Sequence, residues 1–207
     1  MCGIAGHINF TGGVTNAQIT AMSDAIRHRG PDGEGYYLNT SATAGLGHRR
    51  LSFLDLSEAG KQPMTNEDGT FWLTYNGEIY NYIELREELQ KLGHRFHSHS
   101  DTEVILHGYE QWGTGVLSKL KGMFAFGIWN EQKRELFLAR DRFGIKPLYY
   151  YNQNNNFVFA SEIKAIKANT AVNTTLDMTS FADFFVYRYI PGRKSIWNEV
   201  KKLPPAH

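Results

Sequence analysis

The first ten residues, MCGIAGHINF, constrain the fold of this chain more than any other segment. Residues Gly3 to Phe10 form a short, apolar and glycine-rich run, which is typical of a buried strand. Because this run begins at the N-terminus, we expect the terminus to lie inside the fold, although chain termini usually fray. The same segment carries Cys2, the only cysteine in 207 residues. The role of this thiol is therefore the first question that the sequence raises.

Length and charge exclude several classes of protein. A chain of 207 residues can bury one substantial core. Its 22 basic and 21 acidic residues give a net charge of +1, so charge recruits neither nucleic acid nor an anionic membrane surface. No apolar run approaches the roughly 18 residues of a membrane helix. A single cysteine cannot form an internal disulfide and no secretion signal precedes it, so we expect a cytoplasmic protein.

Periodicity predicts alternating groups of strands and helices. Apolar residues at helical spacing predict helices over residues 15–27, 81–93, 100–113, 162–167 and 176–190. Asn81 is the expected N-cap of the second helix, and Ser100 with Glu103 has capping-box spacing at the third. Apolar runs predict strands within 44–56 and 70–81, and two hairpins within 122–141 and 147–161 that would form one meandering antiparallel sheet. HRGPDGEGYY, residues 28–37, is predicted to be a structured loop, and no periodic element is expected after residue 190. This order indicates a layered α+β fold.

Cys2 can be a nucleophile that carries its own base. Removal of Met1 would leave this residue with both a thiol and a free α-amino group. An α-amine with a pKa of about 8 is partly unprotonated near neutral pH and can accept the thiol proton. This arrangement replaces a separate catalytic histidine in some hydrolases. A lone cysteine can equally be a small buried hydrophobic residue, so the segment alone leaves both interpretations open.

Three downstream segments could complete a site for an amide substrate. YNGE offers the Asn76 amide beside the unobstructed backbone N–H of Gly77, either as an oxyanion hole or as a type I′ turn. HRRLS carries a pair of arginines that could grip a carboxylate or remain solvated. Asp101 begins a predicted helix, where it could cap the helix or bind an ammonium group. Each segment by itself leaves two interpretations.

Together these segments resemble a known family. The chain resembles the glutaminase domain of the class II glutamine amidotransferases, the N-terminal-nucleophile kind, and within that class the asparagine synthetase type. The resemblance runs in order along essentially the whole chain, through the motifs MCGIAG, RHRGPDGEG, GHRRLSFLDLS, QPM, YNGEIYNYIELREEL, SDTEVIL, LKGMFAFGIWN, LARDRFGIKPLYY, FASEIKAI and KKLPPAH.

The resemblance implies a fold and a set of site residues. The implied fold is an α+β, four-layer αββα sandwich of two antiparallel sheets between helices. Carried over to this sequence, the catalytic residues are Cys2, Asn76 and Gly77, the last two forming the oxyanion hole. The implied glutamine-binding residues are Arg50 for the α-carboxylate, the backbone through Leu54, and Asp101 with the main chain at Gly77 and Glu78 for the α-ammonium group. Arg49 receives no ligand role, and Arg29, Pro31 and Asp32 receive a shaping role only.

The resemblance also implies the substrate, the cofactors and a partner. The substrate is L-glutamine, and the half-reaction needs no metal or organic cofactor. His94, His97 and His99 lie close in sequence, but no cysteine or carboxylate completes a metal set at the usual spacing, so no metal site is expected. Residues 1–190 are the predicted glutaminase domain, and residues 191–207 a connector toward a C-terminal synthetase domain, to which ATP and Mg belong. The phosphate loop of that domain, Ser-Gly-Gly-x-Asp-Ser, does not occur in these 207 residues. An excised domain and a stand-alone subunit both fit, and a homodimer is left open.

Three functions follow from the sequence. The first is hydrolysis of glutamine to glutamate and ammonia through a Cys2 thioester, with the ammonia used to convert aspartate to asparagine. The second is the same half-reaction coupled to a sugar or to a secondary-metabolite carboxylate. The third is an inactive regulatory or interaction module, which would result if Met1 were retained and blocked the amine.

Overall fold

The computed structural model describes residues 1–52, 54–55 and 57–207, and within them the strands form two antiparallel sheets. Phe53 and Leu56, which belong to the predicted strand-to-loop segment 44–56, lie outside the described residues. The strands are β1 (Gly3–Asn9), β2 (Gly33–Leu38), β3 (Ala44–Arg50), β4 (Met64–Thr65), β5 (Phe71–Ile79), β6 (Gly122–Asn130), β7 (Glu135–Arg140), β8 (Tyr149–Gln153), β9 (Asn156–Ala160) and β10 (Val200–Lys202). One sheet has the order β10-β8-β9-β1-β3-β2, and the other has the order β4-β5-β6-β7.

Helices cover one face of each sheet. The helices of the described residues are α1 (Asn16–Ala25), α2 (Tyr82–Lys91), α3 (Asp101–Trp112), α4 (Val116–Lys119), α5 (Ile163–Lys167) and α6 (Met178–Tyr187), of which α6 is mostly exposed and belongs to neither helix–sheet core. A core of α1 and α5 side chains with residues of β1, β8 and β9 lies on the six-stranded sheet. A second core joins α2, α3 and α4 to β5 and β6 of the four-stranded sheet.

A third core lies between the two sheets and joins them. Ile4, Ile8 and Leu46 of the six-stranded sheet meet Ala125 and Trp129 of the four-stranded sheet there. All five side chains are buried almost completely. Burial of this apolar surface is the main favourable contribution to the association of the two sheets. The layers therefore follow the order helix, sheet, sheet, helix, and the predicted αββα sandwich is confirmed.

The strand that begins the chain lies in the middle of its sheet. β1 pairs antiparallel with β3 on one side and with β9 on the other, with Gly3 opposite Arg49 and Ala5 opposite Ala160. Gly6 has no room for a side chain, because a Cβ there would lie 2.1 Å from the ring of Phe159. The predicted buried strand is therefore confirmed, and its pairing places Cys2 at the edge of the sandwich.

Three strands occur where the sequence predicted none: the two-residue β4, which pairs with β5, together with β2 and β10. Residues 33–38, in the predicted loop, form β2 at one edge of the six-stranded sheet, opposite β3. Its glycines hid the strand pattern, yet Gly35 is required because a Cβ there would lie 2.0 Å from the carbonyl oxygen of Gln62. At the other edge, β10 pairs with β8, so the prediction of no regular element after residue 190 is wrong. Three residues are too few to produce a periodic pattern.

The two predicted hairpins form but belong to different sheets. β6 pairs with β7 in the four-stranded sheet, whereas β8 pairs with β9 in the six-stranded sheet. The prediction of one continuous meander is therefore wrong. Apolar patterns identify local pairing but not the sheet that a hairpin joins, because this depends on long-range packing.

The helix starts differ in detail from the predicted caps. Ser100 caps α3 by accepting a hydrogen bond from the N–H of Thr102, but Glu103 does not complete a capping box. Its carboxylate instead accepts bonds from the N–H groups of His97 and Ser98. Asn81 occupies the N-cap position of α2 without a side-chain cap, and its amide bridges to the backbone before β6. None of the helices in the described ranges combines the length and apolarity that crossing a membrane requires.

Candidate active site

A cavity of about 220 Å³ opens at the start of β1, where β3, β5 and the N-terminus of α3 come together. All seven residues that the sequence predicted for catalysis or glutamine binding line it: Cys2, Arg50, Leu54, Asn76, Gly77, Glu78 and Asp101. These residues span 100 positions of sequence, and strand pairing together with the start of α3 brings them to one place.

Cys2 is held by contacts to its own backbone and to its sulfur. The side chain of Arg29 donates from Nε to the carbonyl oxygen of Cys2 at 2.9 Å and pairs with Glu162 at 2.9 Å. The N–H of Leu51 lies 3.5 Å from Sγ. Burial raises the pKa of the Cys2 thiol, and the contact from Leu51 only partly offsets this effect. The thiol is therefore protonated at neutral pH and needs a base before it can attack.

Asn76 and Gly77 lie inside β5, opposite Ala125 and Phe124 of β6, so the alternative of a type I′ turn is wrong. The side chain of Asn76 is 1% exposed, and its Nδ2 has no hydrogen-bond partner among the described residues. An unpaired buried amide costs about 1–3 kcal/mol, so such groups are usually found where a ligand pairs with them. Its location at the cavity suits an oxyanion donor.

The backbone of Gly77 points toward the same cavity. Along β5 the N–H groups of Tyr75 and Ile79 face away from β6, since they donate to Gln62 and Asp101 respectively. Direction repeats every second residue in an antiparallel strand, so the N–H of Gly77 faces the same edge. A Cβ at Gly77 would lie 2.4 Å from the carbonyl oxygen of Met123, so no other residue fits here without displacing β6.

Asp101 is a buried carboxylate held by β5. Its Oδ2 accepts hydrogen bonds from the hydroxyl of Tyr75 at 2.7 Å and from the N–H of Ile79 at 2.9 Å. Both bonds end on Oδ2, which leaves Oδ1 for a further donor. Burial raises the pKa of Asp101, and a cationic ligand would favour its charged form. Ser100 performs the capping of α3, so Asp101 is not the cap, but it lies in the first turn, where a carboxylate also favours the helix dipole.

The two adjacent arginines face different surroundings. Arg50 points into the cavity and donates to the carbonyl oxygens of Asp55 and Ser57, which uses two of its five N–H groups. Arg49 lies outside the cavity and pairs with Asp24 and Glu34. This placement agrees with the absence of a ligand role for Arg49.

The loop before β2 supports the site from outside. Asp32 accepts a hydrogen bond from the N–H of Ser52 at 2.8 Å, and its own N–H donates to the carbonyl oxygen of Arg50 at 3.0 Å. A Cβ at Gly30 would lie 2.2 Å from the backbone of Arg49. Pro31 is exposed. These contacts give Asp32 and Arg29 the shaping role that the resemblance implied.

Sequence reasoning assigned no site role to several other residues that line the cavity, among them His48, Gln62, Tyr75 and Lys146. Gln62 accepts from the N–H of Tyr75 at 2.7 Å and donates to Thr102 at 3.2 Å, so it joins β5 to α3. Burial lowers the pKa of Lys146, whose Nζ lies 3.5 Å from the sulfur of Met1. The motifs GHRRLSFLDLS, QPM, YNGE and LARDRFGIKPLYY contain these four positions, but a motif does not show which contacts its side chains make.

His48 is a neutral histidine in the floor of the site. Its Nε2 donates to the carbonyl oxygen of Tyr75 at 3.1 Å, while its Nδ1 has no partner in the described part of the chain. Complete burial lowers the pKa of His48 to about 4. An imidazole with this pKa carries no charge near neutral pH.

The comparisons with known proteins place the chain in a family. A family model described as "Glutamine amidotransferase domain" matches residues 1–207. The chain belongs to this family. It is 43% identical over 210 residues to asparagine synthetase (glutamine-hydrolyzing) 1 of Bacillus subtilis, covering 100% of this chain and 33% of that protein. An amidase of Gibberella zeae is 38% identical over 179 residues, and this alignment covers 81% of the present chain and 26% of the amidase.

A solved structure supports the fold of this glutamine amidotransferase domain. The glutamine phosphoribosylpyrophosphate amidotransferase of B. subtilis has a TM-score of 0.68 and 25% identity, over 81% of this chain and 43% of that one. The chain spans about a third of the length of the asparagine synthetase relative. The family and the fold that the sequence indicated are therefore confirmed.

A group of potential metal ligands lies away from the cavity. His94, His107 and Glu110 each place a ligand atom within 4.8 Å of the others. From the sequence we expected no metal site at His94, because no carboxylate lies at the usual spacing from it. In the folded chain, Glu110 of α3 brings a carboxylate next to His94.

We expect His48 to weaken this amidotransferase domain in acid. The unfolded chain binds a proton at His48 near pH 6.5 and the native state only near pH 4, so native stability falls as pH drops through this window. The full loss is about 3 kcal/mol, from a shift of about 2.5 pKa units. Urea unfolding between pH 7 and pH 4 measures it.

In that measurement, His48→Gln should lose about 3 kcal/mol less stability between pH 7 and pH 4 than the unaltered protein does. The exposed His99→Gln serves as the matched control and should keep the full pH dependence. An unchanged pH dependence in His48→Gln would contradict the assignment.

Proposed function

We propose that the domain hydrolyses L-glutamine to glutamate and ammonia, with Cys2 as the nucleophile after removal of Met1. The single observation that carries the proposal is the unpaired buried amide of Asn76 in the cavity that also contains Cys2, Arg50 and Asp101. Family membership supports the same activity. A cavity of about 220 Å³ also suits a small amino acid better than a larger ligand.

Charged groups in the cavity orient the substrate. The guanidinium of Arg50 binds the α-carboxylate of glutamine, and Asp101 binds the α-ammonium group through Oδ1 with the main chain at Gly77 and Glu78. The segment at Leu54 borders the carboxylate end. The side-chain amide then points toward the start of β1, because the amino-acid end is held between β3 and α3.

The chemistry proceeds in two halves. The α-amine of Cys2 takes the thiol proton, and the thiolate attacks the side-chain amide carbon of glutamine. Asn76 Nδ2–H and the N–H of Gly77 stabilise the oxyanion. The α-ammonium of Cys2 returns a proton to the leaving nitrogen, which departs as ammonia, and a γ-glutamyl thioester remains. Water attacks the thioester, the amine again accepts a proton, and glutamate is released with the thiol restored. None of these steps requires a metal or an organic cofactor.

We infer that the ammonia serves the ATP-dependent amidation of aspartate by a synthetase domain. The asparagine synthetase relative, which is three times as long as the matched region, supports this partner. The outer surface of α6 also supports a protein partner, since Phe184, Phe185 and Val186 are 46–71% exposed. An apolar patch of this kind is typical of an interaction surface. ATP and Mg would bind to the partner domain. Cytoplasmic location is part of the same proposal.

A different acceptor is the second candidate. The relative from G. zeae, at 38% identity, is named an amidase and not a synthetase, so related domains occur in more than one kind of protein. A sugar or a secondary-metabolite carboxylate would then receive the ammonia. The glutaminase half-reaction and its residues would be the same.

The test of the proposal is whether activity depends on the thiol and on a free Cys2 amine. Purified protein without Met1 should release glutamate from glutamine, and Cys2→Ser should lose at least about 1,000-fold in kcat, because a serine hydroxyl is a weaker nucleophile. Intact mass reports the state of Met1 in each preparation.

Protein produced with methionine aminopeptidase inhibited is the matched control, since it has the same sequence with the amine blocked. It should be inactive. Equal activity with Met1 retained would show that another group is the base, and retention of Met1 in every preparation would favour an inactive regulatory module.

Removal of the Asn76 amide should lower the rate of the chemical step. For Asn76→Ala we expect kcat to fall about 100- to 1,000-fold with KM nearly unchanged, because the amide is needed mainly when charge develops on the oxygen. Steady-state kinetics of glutamate release measure both constants. Exposed Asn152→Ala, on β8, is the control and should behave as the unaltered protein. A loss confined to KM in Asn76→Ala would argue against the oxyanion role.

Substitution of Arg50 should affect binding of glutamine. Arg50→Lys keeps the charge but loses the planar fork that grips a carboxylate, so KM should rise roughly 10- to 100-fold while kcat changes little. Arg49→Lys provides a neighbouring control, because its side chain pairs with Asp24 and Glu34 outside the cavity. An equal rise of KM in both variants would contradict the assignment.

A further inference from the structure

A second cluster of functional side chains lies between α2 and α3, where the loop after α2 packs on the later turns of α3. His94 belongs to this loop, while His107 and Glu110 are three residues apart on α3. Nδ1 of His107 lies 3.2 Å from Oε2 of Glu110, and Nδ1 of His94 lies 3.5 Å from the same oxygen. The side chain of His107 is 2% exposed, that of His94 13% and that of Glu110 31%. The cluster is therefore buried on one side and accessible from solvent on the other.

The outer atoms of these three side chains face polar groups of other residues. Nε2 of His94 lies 2.9 Å from Oε1 of Gln111, so this nitrogen carries the proton. Nε2 of His107 faces Oε1 of Glu103 at 3.6 Å and has no hydrogen-bond partner among the described residues. Oε1 of Glu110 accepts a hydrogen bond from Nδ2 of Asn66 at 3.2 Å.

These outer contacts determine what faces the centre of the cluster. If each neutral imidazole carries its proton on Nε2, both Nδ1 atoms present lone pairs to the carboxylate oxygen Oε2 of Glu110. Three electron-rich atoms then converge without a donor between them. In that tautomeric state a cation at the centre would be favoured, whereas a proton on Nδ1 of His107 would itself donate to Glu110.

We propose that His94, His107 and Glu110 bind a zinc ion, with water as the fourth ligand. Two histidines and a carboxylate with an open position form a common zinc ligand set. Ligand bonds of about 2.0–2.1 Å in a tetrahedron separate neighbouring ligand atoms by about 3.3 Å. The observed separations from Oε2 of Glu110, 3.2 and 3.5 Å, are close to this value, and all three ligand atoms lie within 4.8 Å of one another.

The surrounding residues match the outer contacts of a metal site. Metal-bound histidines usually donate their second N–H to a carboxylate or a carbonyl oxygen. Here Gln111 accepts from Nε2 of His94 at 2.9 Å, and the carboxylate of Glu103 faces Nε2 of His107 at 3.6 Å, beyond hydrogen-bond distance. Asn66 holds the oxygen of Glu110 that does not face the cluster. Such partners orient the ligands before the ion binds and so reduce the cost of ordering them.

Protons compete with the ion for the same atoms. His94 and His107 both direct Nδ1 at the carboxylate of Glu110, and these are the atoms that would bind the metal. Zinc affinity should consequently fall as the pH is lowered, since the histidines must lose their protons to bind the metal.

The ion would have a structural role. It would join the loop after α2 to the helix whose first residue is Asp101, and Glu103 on that helix already holds the same loop through His97 and Ser98. An ion that binds the native state but not the unfolded state raises the free energy of unfolding, and this effect grows with the concentration of the ion. The zinc site does not depend on the proposed glutaminase function, because it shares no ligand with the cavity.

The test is a zinc titration of the Cys2→Ala variant, in which the terminal thiol cannot bind the ion. At pH 7.5, competition with a chromophoric chelator should show one Zn²⁺ per chain, and Co²⁺ should give the absorption spectrum of tetrahedral coordination. Thermal melting should shift upward with zinc. At pH 5 the affinity should fall at least tenfold.

Substitutions in the same background identify the ligands. His94→Ala and Glu110→Gln should each weaken binding at least about 100-fold, since even outer partners of a metal site contribute 10- to 100-fold. His97→Ala, in the same loop but outside the cluster, should leave the affinity within twofold. Circular dichroism confirms that each variant is folded, and the partly exposed His94 keeps the test available if Glu110→Gln is unstable.

Two results would overturn the proposal. One is the absence of stoichiometric zinc binding at pH 7.5. The other is binding that survives in both His94→Ala and Glu110→Gln, or that falls equally in His97→Ala, because either outcome places the ion elsewhere.

Discussion

The pairing of β1 in the centre of the six-stranded sheet is the constraint on which the rest of the structure depends. With β3 on one side and β9 on the other, the first strand cannot move without disrupting both cores of that sheet. Gly3 lies opposite Arg49, so the same register sets Cys2 next to the end of β3 and to Arg50. A chain end that would otherwise fray becomes a rigid place for a reactive group.

The second half of the site lies along one edge of β5. Where β4 stops, the outward-facing backbone of β5 is free to bind side chains, and Gln62 and Asp101 occupy positions on either side of Gly77. His48 connects this strand to β3 through the carbonyl oxygen of Tyr75. In the proposed mechanism the two sheets therefore contribute different groups, Cys2 and Arg50 from one and Asn76 with Gly77 from the other.

Much of this arrangement was predictable from sequence because it depends on local patterns and quoted motifs. The strand character of β1, the hairpins and the helices follow from periodicity, and the site residues follow from a resemblance along the whole chain. β2 was missed because its glycines remove the apolar pattern, and one of them, Gly35, is required by the close approach of Gln62.

The other misses come from contacts between distant parts of the sequence. Glu103 looked like a capping residue but binds the loop before its helix, and the placement of the hairpins in separate sheets depends on packing. The meeting of His94 with His107 and Glu110 follows from how the loop after α2 folds onto α3. No spacing rule within a single segment contains this information.

Arg50 lines the cavity and also binds the backbone of Asp55 and Ser57. Its guanidinium holds the carbonyl oxygens of Asp55 and Ser57, and a Cβ at Gly60 would lie 2.6 Å from its Nη2. Under the proposed function, a substrate carboxylate bound to the same group would share its anchor with the carbonyl oxygens of Asp55 and Ser57. The conformation of the backbone at these two residues and the occupancy of the cavity would then be thermodynamically linked, so part of the selectivity for an amino acid would reside in groups that need not touch its amide.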